Sequence, residues 1–248
     1  MDTSPIFNDI SGNYDRFNHL FSMNIDKSWR KNCARTASGV ASELALRRGT
    51  DLSAIKVLDL ACGTGDLSIA LAKKGLKVSG ADISEGMLEV GRKKVDELWR
   101  GKYSRYPKPV LEMGDGASLP FEDGSIDIVT IGYGIRNFDN RPASLREILR
   151  VLSPGGALLI LEFGEPRNAL MRLFYKPYFK YMIPRLASAL TKGKDRGAYE
   201  YFIRSVEKFP KFEMFCKELT EAGFQDAGYK SQTGGISVLY KAFKPMGE

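Results

Sequence analysis

The sequence predicts an α/β fold built on a parallel sheet. Between residues 55 and 163, short apolar runs alternate with longer amphipathic stretches, which is the pattern of consecutive βαβ units. The first apolar run ends in a glycine turn, Gly63-Thr64-Gly65, placed at the carboxyl edge of such a sheet, where open α/β folds bind ligands. With 248 residues, of which 43% are hydrophobic, the chain can bury a sizeable core.

Five apolar runs are predicted to form the strands of this core. They span residues 55–61, 76–81, 110–113, 126–131 and 157–163. Between them, one helix opens near Asp66 and ends before Gly75, a second is capped by Ser84, and a third begins at Pro142. Glycine readily supplies the left-handed conformation of a helix end, serine caps a helix start, and proline suits a first turn. Residues 153–156, Ser-Pro-Gly-Gly, are predicted to turn the chain into the fifth strand.

Three flanking segments surround the core of residues 51–163 and complete a single predicted domain, residues 1–248. Residues 1–50 look helical and are predicted to cap the sheet. Residues 164–210 mix aromatic and basic side chains in an amphipathic pattern, which fits either a helical lid packed on the sheet or a helix lying at a membrane surface. Residues 211–248 are predicted to contain a final helix and two strands.

Charge and cysteine content restrict the class of protein. The formal net charge of +7 favours an anionic partner, which nucleic acid, an anionic membrane surface or an acidic ligand would each satisfy. Cys33, Cys62 and Cys216 form no CxxC pair, so neither a disulfide framework nor a zinc site is indicated, and we expect no metal. The sequence has neither a leader pattern nor a run of about 18 apolar residues, so we expect a cytoplasmic protein without a membrane span.

The loop after the first strand, Asp59-Leu-Ala-Cys-Gly63-Thr-Gly65-Asp66, is typical of a nucleoside site. A dinucleotide site would be expected to have a third glycine at position 68 and an open helix N-terminus for its pyrophosphate. Position 68 is Ser68, and Asp66 puts a carboxylate at the helix start. A cationic nucleoside without phosphate suits such carboxylates, so the loop favours S-adenosylmethionine. The candidate cofactor contacts in this loop are Asp59, Gly63, Thr64 and Gly65.

Two further acidic positions extend the predicted cofactor site. Asp82 ends the second strand 19 residues after Gly63, where an acidic side chain can accept hydrogen bonds from both ribose hydroxyls. Asp115 and Gly116 follow the third strand, where a carboxylate and a flexible backbone could receive the adenine ring. The structural alternative is that the glycines only make a tight turn and that Asp82 only caps a helix.

Eight short motifs span nearly the whole chain. They are GNYDRFNH (12–19), LDLACGTGD (58–66), ADISEGML (81–88), LPF (119–121), GYGIRNF (132–138), RVLSPGG (150–156), LEF (161–163) and TGGI (233–236). With these motifs the sequence resembles the class I methyltransferases, and more narrowly the UbiE/MenG family of quinone-biosynthesis C-methyltransferases. The glycine loop and the Pro154-Gly-Gly turn are shared across the class, whereas Gly134-Ile-Arg-Asn137, Tyr14-Asp15 and Thr233-Gly-Gly-Ile236 are narrower.

The resemblance implies a Rossmann-like sheet of seven strands whose last strand is antiparallel. It also implies transfer of a methyl group from S-adenosylmethionine to a ring carbon of a polyprenylated quinol, which is demethylmenaquinol, its relative demethylphylloquinol, or a methoxy-polyprenyl benzoquinol. Carried over position by position, the cofactor contacts fall on Thr64, Asp82, Asp115 and Gly116, with Gly132 beside them. The sequence departs from the common pattern at Asp115-Gly116, where an Asp/Asn-Ala pair is more usual, and in a slightly longer stretch over residues 99–109.

An aromatic carbon becomes a good nucleophile only when a neighbouring hydroxyl loses its proton, so the site is expected to stabilise a phenolate. Arg136, at the carboxyl edge of the sheet, is the candidate for this role. Tyr14 and His19 are further catalytic candidates. His19 is the only histidine, and its neutral form could accept a proton near neutral pH, although a lone histidine on an apolar helix also fits a structural role.

Three other classes of protein compete with this interpretation. A nucleic-acid methyltransferase would fit the positive charge, but amino methylases of this fold usually carry an Asp/Asn-Pro-Pro-Tyr/Phe motif where this chain has Gly132-Tyr-Gly-Ile-Arg-Asn137, so we expect no nucleic-acid partner. A dinucleotide oxidoreductase is disfavoured by Asp66 and Ser68, and a non-catalytic cofactor-binding protein stays open. The expected partner is the quinol, while peripheral contact with a membrane and assembly as a homodimer are left open.

Overall fold

The computed structural model describes Asp15, His19, residues 22–182 and residues 196–247. Its strands are β1 (Lys56–Leu60), β2 (Lys77–Asp82), β3 (Val110–Met113), β4 (Ile126–Gly132), β5 (Leu152–Phe163), β6 (Gln225–Gln232) and β7 (Ser237–Phe243). They form a seven-stranded sheet in the order β3-β2-β1-β4-β5-β7-β6. Strands β1 to β5 are mutually parallel, and β7 is antiparallel to both its neighbours. The expected sheet, with its antiparallel last strand, is confirmed.

Helices connect and flank these strands. They are α1 (Asp26–Arg48), α2 (Asp66–Ala72), α3 (Glu85–Trp99), α4 (Arg141–Val151), α5 (Ala169–Pro177), α6 (Arg196–Lys208) and α7 (Glu213–Glu221). The local sequence explains where two of the helices begin. Ser84 Oγ accepts from Met87 N at the start of α3, and Pro142 lies in the first turn of α4. Helix α5 continues into a π-helical turn over Tyr178–Met182.

Strand β5 differs from its predicted form. Residues 153–156 do not turn into the strand but belong to it, because β5 already begins at Leu152, which pairs with Ile126. The register then shifts, and Gly155 adopts a positive φ of 72°. The backbone of Gly155 and Gly156 hydrogen-bonds to Lys244 on the other side. The Ser-Pro-Gly-Gly signal therefore marks an irregularity inside a paired strand, which local turn chemistry alone does not distinguish from a free turn.

The middle of the sheet is covered on both faces. Six of the seven residues of β4 are buried, whereas Val110 and Met113 of the edge strand β3 are largely exposed. Helix α1, the described part of the expected N-terminal cap, packs against α2 and β5. Trp29 Nε1 in α1 donates to Thr233 Oγ1 at 2.8 Å, which ties the cap to the turn between β6 and β7. Central strands buried on both faces account for the continuous apolar runs seen in the sequence.

The carboxyl edge of the sheet carries strained backbone. Ala61, directly after β1, has a φ of 54°, and Tyr133, directly after β4, has a φ of 62°. Non-glycine residues in this left-handed region are concentrated at ligand sites. The two loops touch, because a Cβ at Gly134 would lie 2.6 Å from the Cβ of Ala61. This close approach requires glycine at position 134 and brings the ends of β1 and β4 together.

Candidate active site

A cavity of about 410 Å³ opens at the carboxyl edge of the sheet, within the size range of small-molecule sites. Its walls are the loops that follow β1, β2, β3 and β4, together with the start of α4. Five of the eight predicted cofactor contacts line it, namely Gly63, Asp82, Asp115, Gly116 and Gly132. These residues come from four separate segments of the chain, so the fold brings together positions that the sequence analysis connected only by analogy with nucleoside sites.

Asp82 holds the glycine loop in place. Its Oδ2 accepts from Gly63 N at 2.7 Å, and its Oδ1 accepts from Ser84 N at 2.9 Å. Burial raises the pKa of Asp82, and the hydrogen bonds from the backbone amides oppose that rise. A carboxylate oxygen can accept more than one hydrogen bond, so Asp82 keeps acceptor capacity toward the cavity that it lines.

The loop after β3 forms the opposite wall. Asp115 Oδ1 accepts from Ala117 N at 2.9 Å, which shapes the turn. A Cβ at Gly116 would lie 2.9 Å from Cε2 of Phe138, which also lines the cavity. The glycine in place of the more usual alanine therefore leaves room for the aromatic ring. The wall offers a carboxylate, backbone groups and an apolar ring face to a flat ligand.

Asp59 lies beneath the glycine loop rather than in the cavity wall. Its side chain is fully buried, where Ser68 Oγ donates to Oδ2 at 2.5 Å and Thr130 Oγ1 donates to Oδ1 at 2.7 Å. Burial raises the pKa of Asp59 to about 6, although these two hydrogen bonds act to lower the pKa. The carboxyl therefore braces β1 against α2 and β4. Ser68, the residue that departs from a dinucleotide motif, is part of this brace.

Replacing Asp59 by asparagine is expected to remove one source of pH-dependent stability. The folded pKa of about 6 lies above the unfolded value of about 3.9, so the folded protein holds a costly buried charge above pH 6. As the pH falls from 6 toward about 4, the folded state takes up this proton first, and the wild type gains stability relative to Asp59→Asn. Urea unfolding of both proteins across this range measures the difference.

An exposed carboxyl provides the control for that experiment. Asp51→Asn makes the same chemical change at an exposed position, and its unfolding is measured at the same pH values. If the curve of Asp59→Asn runs parallel to that of the wild type, Asp59 has no raised pKa in the folded protein.

Thr64 and Asp66 belong to a charged cluster on the outer side of the glycine loop. Thr64 Oγ1 donates to Asp15 Oδ1 at 2.5 Å, and Lys94 Nζ donates to both Asp15 Oδ2 (2.6 Å) and Asp66 Oδ1 (2.8 Å). Arg30 NH1 lies 3.7 Å from Asp66 Oδ2. Burial raises the pKa of Asp66, but Arg30 and Lys94 outweigh it and hold the pKa below its usual value. Asp66 is thus ionised yet neutralised by its neighbours, so it disfavours a phosphate less than the sequence suggested.

Neither Lys94 nor Arg30 is recognisable from the sequence as part of this cluster. Lys94 lies inside α3 and Arg30 inside α1, and basic side chains on an amphipathic helix give no local signal of such a role. Gly65 caps the start of α2 with a φ of 78°. It supplies the turn into the helix and does not line the cavity.

His19 lies in the same cluster. Its Nδ1 is 2.8 Å from Asp26 Oδ2, and its Nε2 is 3.9 Å from Asp66 Oδ2. The three residues bring potential metal-ligand atoms within 4.8 Å of one another. Arg30 also donates to Asp26 Oδ2, so a guanidinium already supplies positive charge to both carboxylates. His19 does not line the cavity, and its role as a base stays a prediction; Tyr14 lies outside the described residues.

Arg136 is buried and bound by Glu162. The side chain of Arg136 is 5% exposed and that of Glu162 is 0% exposed, with NH1 to Oε1 at 3.0 Å. Arg136 NH1 also donates to the carbonyl of Tyr133, and Nε donates to Ser205 Oγ at 3.3 Å. The guanidinium does not line the cavity. Its predicted role toward a phenolate stays a prediction, and in this conformation its charge is already paired.

An aromatic wall stands beside the cavity. The Phe163 ring lies 4.4 Å from that of Tyr133 and meets Phe202 of α6 edge-on at 5.4 Å. The Arg136 guanidinium lies over both phenylalanine rings, at 5.5 and 5.3 Å. Asn137, which the sequence analysis named only as part of a motif, lines the cavity next to this wall. The edge of the sheet thus offers a cavity lined by two carboxylates and by glycine backbone, with an aromatic surface beside it.

Comparison with known proteins gives consistent matches over nearly the whole chain. A model of the ubiE/COQ5 methyltransferase family matches residues 2–244. A protein of Chlorobaculum tepidum named demethylmenaquinone methyltransferase is 39% identical over 96% of this chain and 90% of its own length. A protein of the same name from Staphylococcus saprophyticus is 36% identical over 96% of this chain and 94% of its own length.

Solved structures share the fold. A SAM-dependent methyltransferase from Thermotoga maritima superimposes with a TM-score of 0.63 at 18% identity, over 98% of this chain and 100% of that one. A phosphoethanolamine N-methyltransferase from Haemonchus contortus, solved with S-adenosyl-L-methionine, gives a TM-score of 0.53 at 18% identity, over 78% of this chain and 49% of that one. At such low identity these structures establish the fold alone.

Proposed function

Because the chain belongs to the ubiE/COQ5 methyltransferase family, and so is an S-adenosylmethionine-dependent methyltransferase, we propose that it methylates a ring carbon of demethylmenaquinol and forms menaquinol. The observation that carries this choice of quinol is the 39% identity to a demethylmenaquinone methyltransferase along almost the full length of both chains. The match over residues 2–244 supports one methyltransferase domain. A methoxy-polyprenyl benzoquinol and demethylphylloquinol are the alternative acceptors.

The cavity supports a specific placement of the cofactor. Asp82 would accept from the ribose hydroxyls, and the loop of Asp115 and Gly116 would receive the adenine beside Phe138. The methionine part would then extend past Gly63 toward Gly132, at the ends of β1 and β4. This placement directs the sulfonium methyl toward the aromatic wall.

The proposed reaction needs no second reagent. The ring carbon beside a hydroxyl attacks the methyl carbon as the hydroxyl proton leaves, and the methyl–sulfur bond breaks with its electron pair going to sulfur. S-adenosylhomocysteine and a methylated ring carbon that still carries its hydrogen result. Loss of that ring proton and return of a proton to the oxygen restore the aromatic ring, so one proton is released overall. The protein's part is to orient the two reactants, exclude water and stabilise negative charge on the oxygen.

Methylation by the purified protein tests the proposal. The protein would be incubated with S-adenosylmethionine and each of the three quinols, kept reduced, and the products analysed by mass spectrometry. We expect demethylmenaquinol to gain one methyl group with the highest kcat/KM. The oxidised quinone lacks the hydroxyl and serves as the control that stays unmethylated. Calorimetric binding of S-adenosylmethionine without methylation of any quinol would show that the proposed activity is wrong.

We further propose that the protein meets this membrane-held quinol at a membrane surface through an apolar stripe on α5 and the following π-turn. None of the helices in the described ranges combines the length and the apolar character that a membrane span requires. The stripe consists of Leu170, Leu173, Pro177 and Tyr181, which share one side at helical spacing and are all exposed. On the other side, Tyr175 and Tyr178 pack against Val206 of α6, as Phe163 and Phe202 do, which joins the stripe to the aromatic wall.

Replacing the stripe leucines is expected to weaken membrane binding. Each leucine is 66% exposed, and moving about half of such a side chain out of water stabilises binding by roughly 1 kcal/mol. The double variant Leu170→Ser/Leu173→Ser should therefore bind anionic vesicles with a partition constant about tenfold or more below that of the wild type. Flotation with anionic vesicles measures this constant. Leu46→Ser, at an 83% exposed position of α1, is the matched control and should change nothing. Equal flotation of all three proteins would exclude the stripe as the membrane contact.

A further inference from the structure

Two hydrogen-bonding groups meet where the cofactor cavity adjoins the aromatic wall. Tyr201 of α6 donates from its hydroxyl to Asn137 Oδ1 at 3.1 Å. Asn137 lies in the short helical turn Ile135–Asn137 after β4 and lines the cavity. One turn further along α6, Ser205 accepts from Arg136 in the same short turn. Helix α6 is therefore fastened to the cavity rim at two points on one face.

The two contacts differ in the hydrogen-bonding capacity that they leave for a ligand. Arg136 is already engaged by Glu162 and by the carbonyl of Tyr133. Tyr201, by contrast, donates its proton to Asn137, so the lone pairs of its oxygen can still accept a hydrogen bond. The amide nitrogen of Asn137 makes no hydrogen bond to another described residue, and it carries two donors. The pair thus presents one acceptor and one donor to a ligand.

The surroundings of the pair suit an aromatic ring that carries a hydroxyl. Phe202, next to Tyr201 in α6, stands edge-on to Phe163, and both present apolar rings beside the rim. Burial raises the pKa of Tyr201, and the nearby Arg136 charge opposes that rise only in part. The phenol of Tyr201 therefore keeps its proton at neutral pH and serves as a hydrogen-bonding partner rather than as a base. A flat apolar ring would pack against the phenylalanine rings, and hydrogen bonds to its oxygen would fix its orientation.

We infer that Tyr201 and Asn137 bind a ring hydroxyl of the methyl acceptor, with the hydroxyl donating to the Tyr201 oxygen and accepting from the Asn137 amide. This inference rests on the proposed function, because it takes the acceptor to be a quinol. The hydroxyl held in this way fixes which ring carbon faces the sulfonium methyl. Tyr201 also connects substrate binding to the position of α6, since the same hydroxyl fastens that helix to the cavity rim.

Removing only the hydroxyl of Tyr201 tests the inference. Tyr201→Phe keeps the ring packing, and we expect KM for the quinol to rise about tenfold, as for the loss of one buried hydrogen bond to a ligand, with the dissociation constant for S-adenosylmethionine unchanged. Tyr229→Phe is the matched control, because its hydroxyl bonds Glu213 and Arg167 at the exposed strand β6 and should leave KM as in the wild type.

A comparison of ligands separates recognition from packing. The affinities of wild type and Tyr201→Phe, each saturated with S-adenosylhomocysteine, would be measured for the quinol and for its two mono-O-methyl ethers. If Tyr201 binds one hydroxyl, the variant loses affinity for the quinol and for one ether but not for the ether in which that hydroxyl is blocked. Equal losses for all three ligands, or no loss at all, would overturn the inference.

The two proposals fail in different ways. A wild-type protein that methylates no quinol overturns the proposed function, and the inference about Tyr201 with it. A wild type that methylates a quinol while Tyr201→Phe keeps its KM overturns the inference alone. Unfolding of Tyr201→Phe at the wild-type temperature would confirm that the measured effect comes from binding.

Discussion

Replacement of Asp82 by alanine is expected to raise the dissociation constant for S-adenosylmethionine about a hundredfold or more. Two effects add. In the proposed placement of the cofactor, the ribose hydroxyls lose a carboxylate acceptor, and a hydrogen bond to a charged group is worth about 1.5 to 3 kcal/mol. The glycine loop also loses its anchor, because Asp82 accepts from both Gly63 N and Ser84 N. Titration calorimetry with the purified variant measures the change.

Two variants calibrate this result. Asp82→Asn keeps one acceptor oxygen and a similar shape, so its affinity should fall between those of wild type and Asp82→Ala. Asp96→Ala removes an exposed carboxylate of α3 that pairs with Lys108 at the surface, and cofactor affinity should not change. An Asp82→Ala protein that is folded and binds within about threefold of wild type would show that the ribose is held elsewhere.

The residues that support this prediction could be recognised in the sequence because their signals are local. Strands β1 and β2 follow from short apolar runs that alternate with longer amphipathic stretches, and Asp82 is identified by its position at the end of the second strand. Gly63 and Gly65 are marked by the turn that they make directly after β1. In each case a few consecutive residues determine the backbone, and the parallel sheet then gathers the strand ends at one edge.

The partners of these residues could not be predicted in the same way. Asp15 lies 79 positions from Lys94, and Arg136 lies 69 from Ser205, and no local pattern pairs such positions. For this reason the sequence alone shows Asp66 with an unopposed charge and Arg136 without its partner Glu162. Asp59 is predicted as a ligand contact for a similar reason, because in sequence an acid near the end of a strand looks the same whether its side chain points into the cavity or into the core.

The Arg136–Glu162 pair leads to the second prediction of large effect. Glu162→Ala is expected to lower the free energy of unfolding by about 3 to 5 kcal/mol, because it leaves a buried guanidinium without its counter-charge. Arginine cannot relieve this by losing its proton. Urea unfolding at neutral pH measures the loss. Glu218→Ala, which breaks the partly exposed pair with Arg141, is the matched control and should cost much less.

Arg136→Met, which removes the other partner, is expected to lose less stability than Glu162→Ala. This difference would show that the loss comes from an unpaired charge. Arg136→Met leaves Glu162 buried without its counter-charge. Burial already raises the pKa of the Glu162 carboxyl, so this carboxyl can take up a proton and become neutral. The folded pKa lies above the unfolded value, so Arg136→Met should regain stability as the pH falls toward that unfolded value, while Glu162→Ala should not. The double variant Arg136→Met/Glu162→Leu removes both charges and should be more stable than Glu162→Ala alone. If the two single variants instead lose equal stability at every pH, the loss comes from packing rather than from an unpaired charge.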